Sequence, residues 1–297
     1  MTPSTLLRTR HHASTVHSVS GLRALRKKRL TTALRMVGIL AITVVVGLPV
    51  WVTFASALMP SGVLAKSGVI PDLSRLTLDN FRAALDVIPL LRQYAVSIGV
   101  VSVQTFGQIF IAALAAYALV FPRWRGRALL FGLVLFTMAI PSESIVIPTF
   151  EIVSDMGLRD TIAGVVIPFL AAGYPIFLLR QAFASVSFEV WEAAKLDGCS
   201  DLRALFQIVL PSCKPQLTTA VLWSALGAWN GFFWPLLITD SANSRTVQVG
   251  LSQLATAETS DPAVIFAGTA LVLIPTVLLV VVAQRFLING LSRGVLH

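Results

Sequence analysis

The sequence predicts an all-α polytopic membrane protein with six transmembrane helices, and three observations predict it. Only 12% of its 297 residues are charged, where a soluble domain carries about 25%. Mean hydropathy is +0.80. Apolar stretches near the ~20 residues that cross a bilayer recur along the chain. The net charge of +9 does not mark a nucleic-acid binder. The bases flank apolar segments and form no basic face with interleaved aromatics.

Residues 1–35 carry Arg8, Arg10, Arg23, Arg26, Lys27, Lys28, Arg29 and Arg35 and read as a disordered cytosolic tail. The apolar run at about 36–59 is too long for a signal-peptide core and gives the first span. It opens a single six-span domain, 36–297. Pro60, Gly62 and Pro71 punctuate the loop that follows. Within it LTLDNFRAAL reads as a short helix capped by Thr77, with Leu78, Phe81 and Leu85 on one face against the membrane surface.

The second span, about 93–121, holds Ser97, Ser102, Gln104, Thr105 and Gln108 before an Ala-rich half. Such polar groups either bind helices together or line a path. The third span, about 128–147, contains Pro141 and Glu143 and ends near Pro148. Broken helix at membrane depth must face protein or water. An acid there is a functional candidate unless it sits hydrated at the outer interface. The fourth span is about 161–179. The fifth, about 217–239, bears Trp223, Trp229, Asn230 and Trp234. An outer loop with Asp240, Arg245, Glu258 and Asp261 leads to the sixth span, about 262–283.

Charge sets the expected topology. With both termini inside, seventeen Lys/Arg fall on inner segments and six on outer ones, accounting for all 23. The segment between the fourth and fifth spans is then cytosolic.

That segment, about 187–215, is the one long interior stretch mixing acids, bases and a glycine turn. Ser187 can cap a first helix with Glu189 in its first turn, and Asp197-Gly198 is a turn signal. Ser200 can cap a second helix from Asp201 to Val209, stopped by Pro211, with Leu202, Leu205, Phe206 and Val209 on one face. The expected product is a charged helix–turn–helix elbow suited to docking a partner. Cys199 and Cys213 lie in it and read as free thiols. They have no metal-ligand spacing, and His11, His12, His17 and His297 are terminal, so no metal site is expected.

EAAKLDGCSDLRALFQIVLPSCKP resembles the EAA loop of ABC-importer permeases, the membrane subunits of binding-protein-dependent uptake systems. Glu192, Ala193, Ala194, Asp197, Gly198, Ile208, Leu210, Pro211 and Pro215 match the loop's pattern. LTLDNF, AAYAL, AIPSESIVIP, Trp229-Asn230 and the tail NGLSRGVLH extend the likeness to the carbohydrate-uptake group. FLLRQAF, WPLLITD and QRFLINGL are most similar to glycerol-3-phosphate uptake permeases. The chain departs from the family's pattern at Ser187, Val96 and the last two residues, and its first 30 residues have no counterpart. The resemblance implies a type I ABC-importer permease fold in a bacterial-type inner membrane. It also implies that Glu192 to Gly198 form a coupling helix seated on a cytosolic ATPase dimer. A second homologous permease and an external substrate-binding protein would complete the machine. ATP and Mg would belong to the ATPase, since this chain has no GxxxxGK[ST] loop and is itself no enzyme.

An ion-coupled secondary transporter is the alternative, and it calls for acids or inverted repeats within the spans. Only Glu143 qualifies. A membrane enzyme would need a polar constellation at one depth, and the spans hold no such set. For cargo, Glu143, Trp229, Asn230 and Trp234 are the candidate path residues. The implied cargo is a sugar, glycerol-3-phosphate or a glycerophosphodiester. Mid-span Lys and Arg, which a phosphate would favour, are missing. Glu143 with tryptophans would also suit a cationic head such as choline.

Overall fold

Helices make up the protein, and no strand occurs among the described residues. The computed structural model describes residues 14–60, 75–256 and 261–294. The chain forms two compact units, Met1–Ala55 and Ser56–His297.

The first unit lies in helix α1 (Ser14–Ala57), whose part from Thr31 onward is apolar enough to span a membrane. The helix begins well inside the stretch expected to be a disordered tail. Residues 21–35 are mostly Leu, Ala, Arg and Lys, which are strong helix formers. No residue in its most apolar window is buried.

In the second unit, helix α2 (Asp79–Val87) precedes the long α3 (Leu90–Val120). Thr77 stands one residue before the cap position and exchanges hydrogen bonds with Asp79. The expected apolar face of α2 is not its buried one. Asn80 and Ala84 are buried, while Leu78 and Leu85 stay exposed. Asn80 Nδ2 donates to the Ala57 and Met59 carbonyls, which fixes that face.

Helix α3 is the axis of the unit and matches the expected second span. The expected third span is not one helix. It divides into α4 (Arg127–Ala139) and α5 (Ser142–Asp155), bent by 101°. Ile140 and Pro141 are extended, and proline cannot donate into the preceding turn, so the chain turns aside there. The fourth is also bent, by 47°, between α6 (Ile162–Val166, continued by a 3-10 turn to Phe169) and α7 (Gly173–Ala184). A Cβ on Gly173 would press on the Val134 carbonyl and on Met138, so glycine permits the close approach of α4.

The elbow is α8 (Phe188–Leu196), α9 (Asp201–Ala204), a π turn (Leu205–Val209) and α10 (Leu210–Ser212). The expected fifth span is α11 (Lys214–Asn230), broken at Gly231 before the short α12 (Phe233–Ile238). Helix α13 (Val247–Thr256) occupies what reads as an outer loop, and α14 (Pro262–Gly294) covers the residues expected as the sixth span. Among the described residues two helices can cross a bilayer unbroken, and four spans result if each bent pair counts as one.

Three apolar clusters hold the second unit together. One joins the Ala112–Phe121 end of α3 to α7, the elbow and Ala220. The others join the first half of α3 to α2, α13 and α14, and to α5, α6 and α12.

Candidate coupling elbow and cavity

Local turn chemistry shapes the elbow. Helix α8 ends in a Schellman motif. Gly198 N–H donates to Lys195 O at 3.1 Å and Cys199 N–H to Ala194 O at 3.0 Å, with Gly198 left-handed at φ 77°. Ser200 then caps α9, its hydroxyl accepting from Arg203 N–H at 3.4 Å. Ser187 occupies the cap position of α8, but its side chain makes no capping bond. Pro211 does not stop the second helix, which continues to Ser212. The turn before it widens instead, with Leu210 N–H bonding Leu205 O. That widening makes room where the proline ring would meet the Gln207 carbonyl. Of the expected apolar face, Leu205 and Val209 are buried while Leu202 and Phe206 are exposed.

A chain of hydrogen bonds locks the elbow to α3. Trp191 Nε1 donates to the Tyr117 hydroxyl, and that hydroxyl donates to Asp201 Oδ1, both at 2.8 Å. Lys195 Nζ meets the same carboxylate at 2.6 Å and donates to Cys199 O at 3.2 Å. The Trp191 ring lies 5.5 Å from that of Phe121 and 5.0 Å from that of Phe188. Lys195 first, then Tyr117, holds the Asp201 carboxyl below its usual range. One face of α8 is thereby fixed. Its other face, Glu192, Ala193, Leu196 and Asp197, is exposed, with Leu196 at 89%. Ala194 and Ile208 are half-buried, Leu210 packs against the core, and Pro211 and Gly198 are exposed. Both cysteines are free; Cys213 is buried, with its thiol pushed up by that burial.

Sequence reading did not single out Tyr117, Trp191, Lys195 or Asp201 as a group. An aromatic in an otherwise Ala-rich segment was the available signal for Tyr117.

At the opposite end of α3 a second carboxylate clamps two loops. Asp160, left-handed at φ 57°, accepts from Asp240 N–H at 2.9 Å, from Ser241 N–H at 3.0 Å and from the Ser244 hydroxyl. Its own N–H donates to Ile238 O at 2.8 Å, and Arg159 pairs with Asp240 at 2.9 Å. The Ser244 hydroxyl above all, then the Ser241 amide, hold this carboxyl far below its usual range.

Between the two ends lies a cavity of about 530 Å³ at the bend of α4 and α5 and the break of α11 and α12. Glu143, Gln104, Thr149, Phe169, Phe232 and Trp234 are among its lining residues. Two of the expected path residues, Glu143 and Trp234, are thus brought together, and two are not. Trp229 is 3% exposed and packs against Tyr94, with ring centroids 5.9 Å apart. Asn230 donates to Leu226 O of its own helix at 2.9 Å. The polar residues of α3 divide in the same way. Ser97 and Gln108 bind other segments, through Val247 N–H and Phe169 O, whereas Gln104 faces the cavity.

Residues 108–293 match the family model described as the binding-protein-dependent transport system inner membrane component. The chain belongs to this family. The permease is 31% identical over 238 residues to the arabinooligosaccharides transport system permease protein AraQ of Halalkalibacterium halodurans, covering 79% of this chain and 85% of the relative. It is 31% identical over 262 residues to the sn-glycerol-3-phosphate transport system permease protein UgpE of Brucella suis, covering 84% and 91%. A chain in the crystal structure of a bacterial ABC transporter that imports the acidic polysaccharide alginate superposes with a TM-score of 0.77 at 26% identity, covering 88% of this permease and 97% of that chain.

Proposed function

We propose that this permease forms half of the translocation path of an ABC importer and couples to a cytosolic ATPase through the elbow. The observation that carries the reading is the two-faced helix α8. One face is bonded to the bundle through Trp191, Tyr117, Asp201 and Lys195, and the other carries a leucine 89% exposed. An apolar side chain that exposed, on a rigid support, favours a protein partner with a matching pocket. Ala193 and Ala194 let the partner's wall approach, and Glu192 offers its carboxylate to a partner cation. Force applied at α8 passes directly into α3 and α7. The ATPase dimer supplies ATP and Mg, a second permease the other half of the path, and an external binding protein the cargo. The elbow end and both termini face the cytosol. The relatives' names point to sugars or glycerol-3-phosphate as cargo, and Glu143 and Trp234 line its path.

Gly198→Asp tests the coupling. Aspartate is among the side chains that best tolerate a left-handed backbone, and no atom lies within 4 Å of the added Cβ, so the change costs local backbone strain without a clash. Uptake by the whole importer should fall at least about tenfold, while the subunit still inserts and the ATPase still hydrolyses ATP. Normal uptake by this variant would defeat the reading.

A further inference from the structure

We infer that the cavity selects neutral, hydroxyl-rich cargo and turns away phosphate esters, with Glu143 as the specificity-determining group. The inference rests on the reading that this cavity lies on the cargo path.

Hydrogen-bond polarity carries the argument. Glu143 is the single charged side chain among the described lining residues. An ionised carboxylate only accepts hydrogen bonds. The Thr149 hydroxyl donates to Ile145 O at 2.6 Å, so toward the cavity it too has only lone pairs to offer. Helix α11 ends at the cavity, with Gly227, Ala228 and Gly231 in the wall. The last carbonyls of a helix have no intrahelical donor and form the negative end of its dipole. Gln104, 8% exposed, adds one amide able to donate and accept, and the Ser142 hydroxyl can do the same.

The wall is therefore rich in acceptors. Sugar hydroxyls supply the donors that such a wall requires. An ionised phosphate group is negative and only accepts hydrogen bonds, so it would meet Glu143 with like charge, and of the lining side chains only the Ser142 hydroxyl and the Gln104 amide could donate to it. The positive end of α5 does not reverse this, because Glu143 occupies its own first turn. A quaternary ammonium would need open aromatic faces. Trp234 is 7% exposed, its Nε1 is tied to Gly164 O at 3.1 Å, and Phe169 packs against it edge to face. Trp234 therefore offers a wall and no cage, while Phe232 and Phe233 in the lining are exposed, and choline is the competitor that tests them.

The test uses the assembled importer and a fixed panel: neutral mono-, di- and trisaccharides, sugar phosphates with sn-glycerol-3-phosphate, and choline. Binding is read by tryptophan fluorescence of the purified importer without its binding protein, and uptake is read in cells. At least one neutral sugar should bind about tenfold or more tightly than any phosphate ester. Glu143→Gln should weaken that sugar about tenfold, the order expected for one hydrogen bond to a charged group. Equal or tighter binding of a phosphate ester or of choline would overturn the inference. So would sugar binding unchanged in Glu143→Gln, or a panel in which no neutral sugar binds. Glu143-dependent binding with unchanged uptake would instead overturn the cargo-path reading beneath it. Normal uptake by Gly198→Asp would defeat only the coupling reading.

Discussion

Two carboxylates clamp this permease at opposite ends of α3, and they do so by different means. Asp160 gathers two backbone N–H groups and a hydroxyl from one short loop and adopts a left-handed backbone to reach them. Asp201 gathers two side chains, Tyr117 and Lys195, from separate elements. The first arrangement fixes the backbones of two loops against each other. The second ties movable parts through side-chain groups that can be lengthened or exchanged. Roughly 30 Å of helix separates them, taking 1.5 Å per residue from Val96 to Tyr117. A rigid clamp suits an end that must hold its shape, and a side-chain clamp suits an end that transmits motion.

Removing the backbone clamp should have the larger effect on stability. Asp160→Ala deletes three accepted hydrogen bonds and leaves a Cβ residue at φ 57°. We expect a loss of about 2–4 kcal/mol, from unpaired donors and from the left-handed backbone together. Thermal unfolding of the purified permease measures it. Asp160→Asn keeps an acceptor and tolerates the same φ, so it should recover much of the loss. Equal losses in the two variants would show that the charge, and not the accepted bonds, holds the loops.

Tyr117→Phe probes the side-chain clamp. It strips the shared hydroxyl from Trp191 Nε1 and Asp201 while keeping the ring that packs against Phe121. About 1–2 kcal/mol of stability should be lost. Coupling should suffer more than stability, with uptake per ATP hydrolysed falling while subunit assembly persists. Unchanged coupling would mean that apolar packing of Trp191 alone positions the elbow.

The same division decides what could be read in the sequence. The helix class, α3 and the turn at Gly198 were legible because each depends on neighbours within a few residues. Gly198 and Ser200 shape the elbow through bonds three to five positions away. Tyr117 and Asp201 stand 84 positions apart, and no local pattern joins them. Pro141 announces a break, but the 101° turn depends on how α5 packs with α6 and α12. Glu143 reaches the cavity because of that turn. Trp229 and Trp234 looked alike in sequence, and the break at Gly231 sends one into the core and the other to the cavity wall. Helix α13 was missed although Val247, Leu251 and Leu254 share one face; it is short and sits among loop residues.

Acid gives the smallest effect and tests both clamps at once. Both carboxyls titrate below the usual carboxylate range, Asp160 chiefly through Ser244 and Asp201 chiefly through Lys195. A depressed folded pKa contributes stability that is present above the unfolded value and lost as pH falls through the folded one. Stability and Trp191 fluorescence should therefore stay flat from neutral pH down to about 4, then decline as the carboxylates protonate. Asp201 is largely exposed, and its ion pair with Lys195 is screened by salt. Added salt should weaken the Trp191 response to acid and leave the loop at Asp160, held by the uncharged Ser244 hydroxyl and two backbone N–H groups, little changed. A Trp191 transition near neutral pH would assign the signal to a group other than these carboxylates.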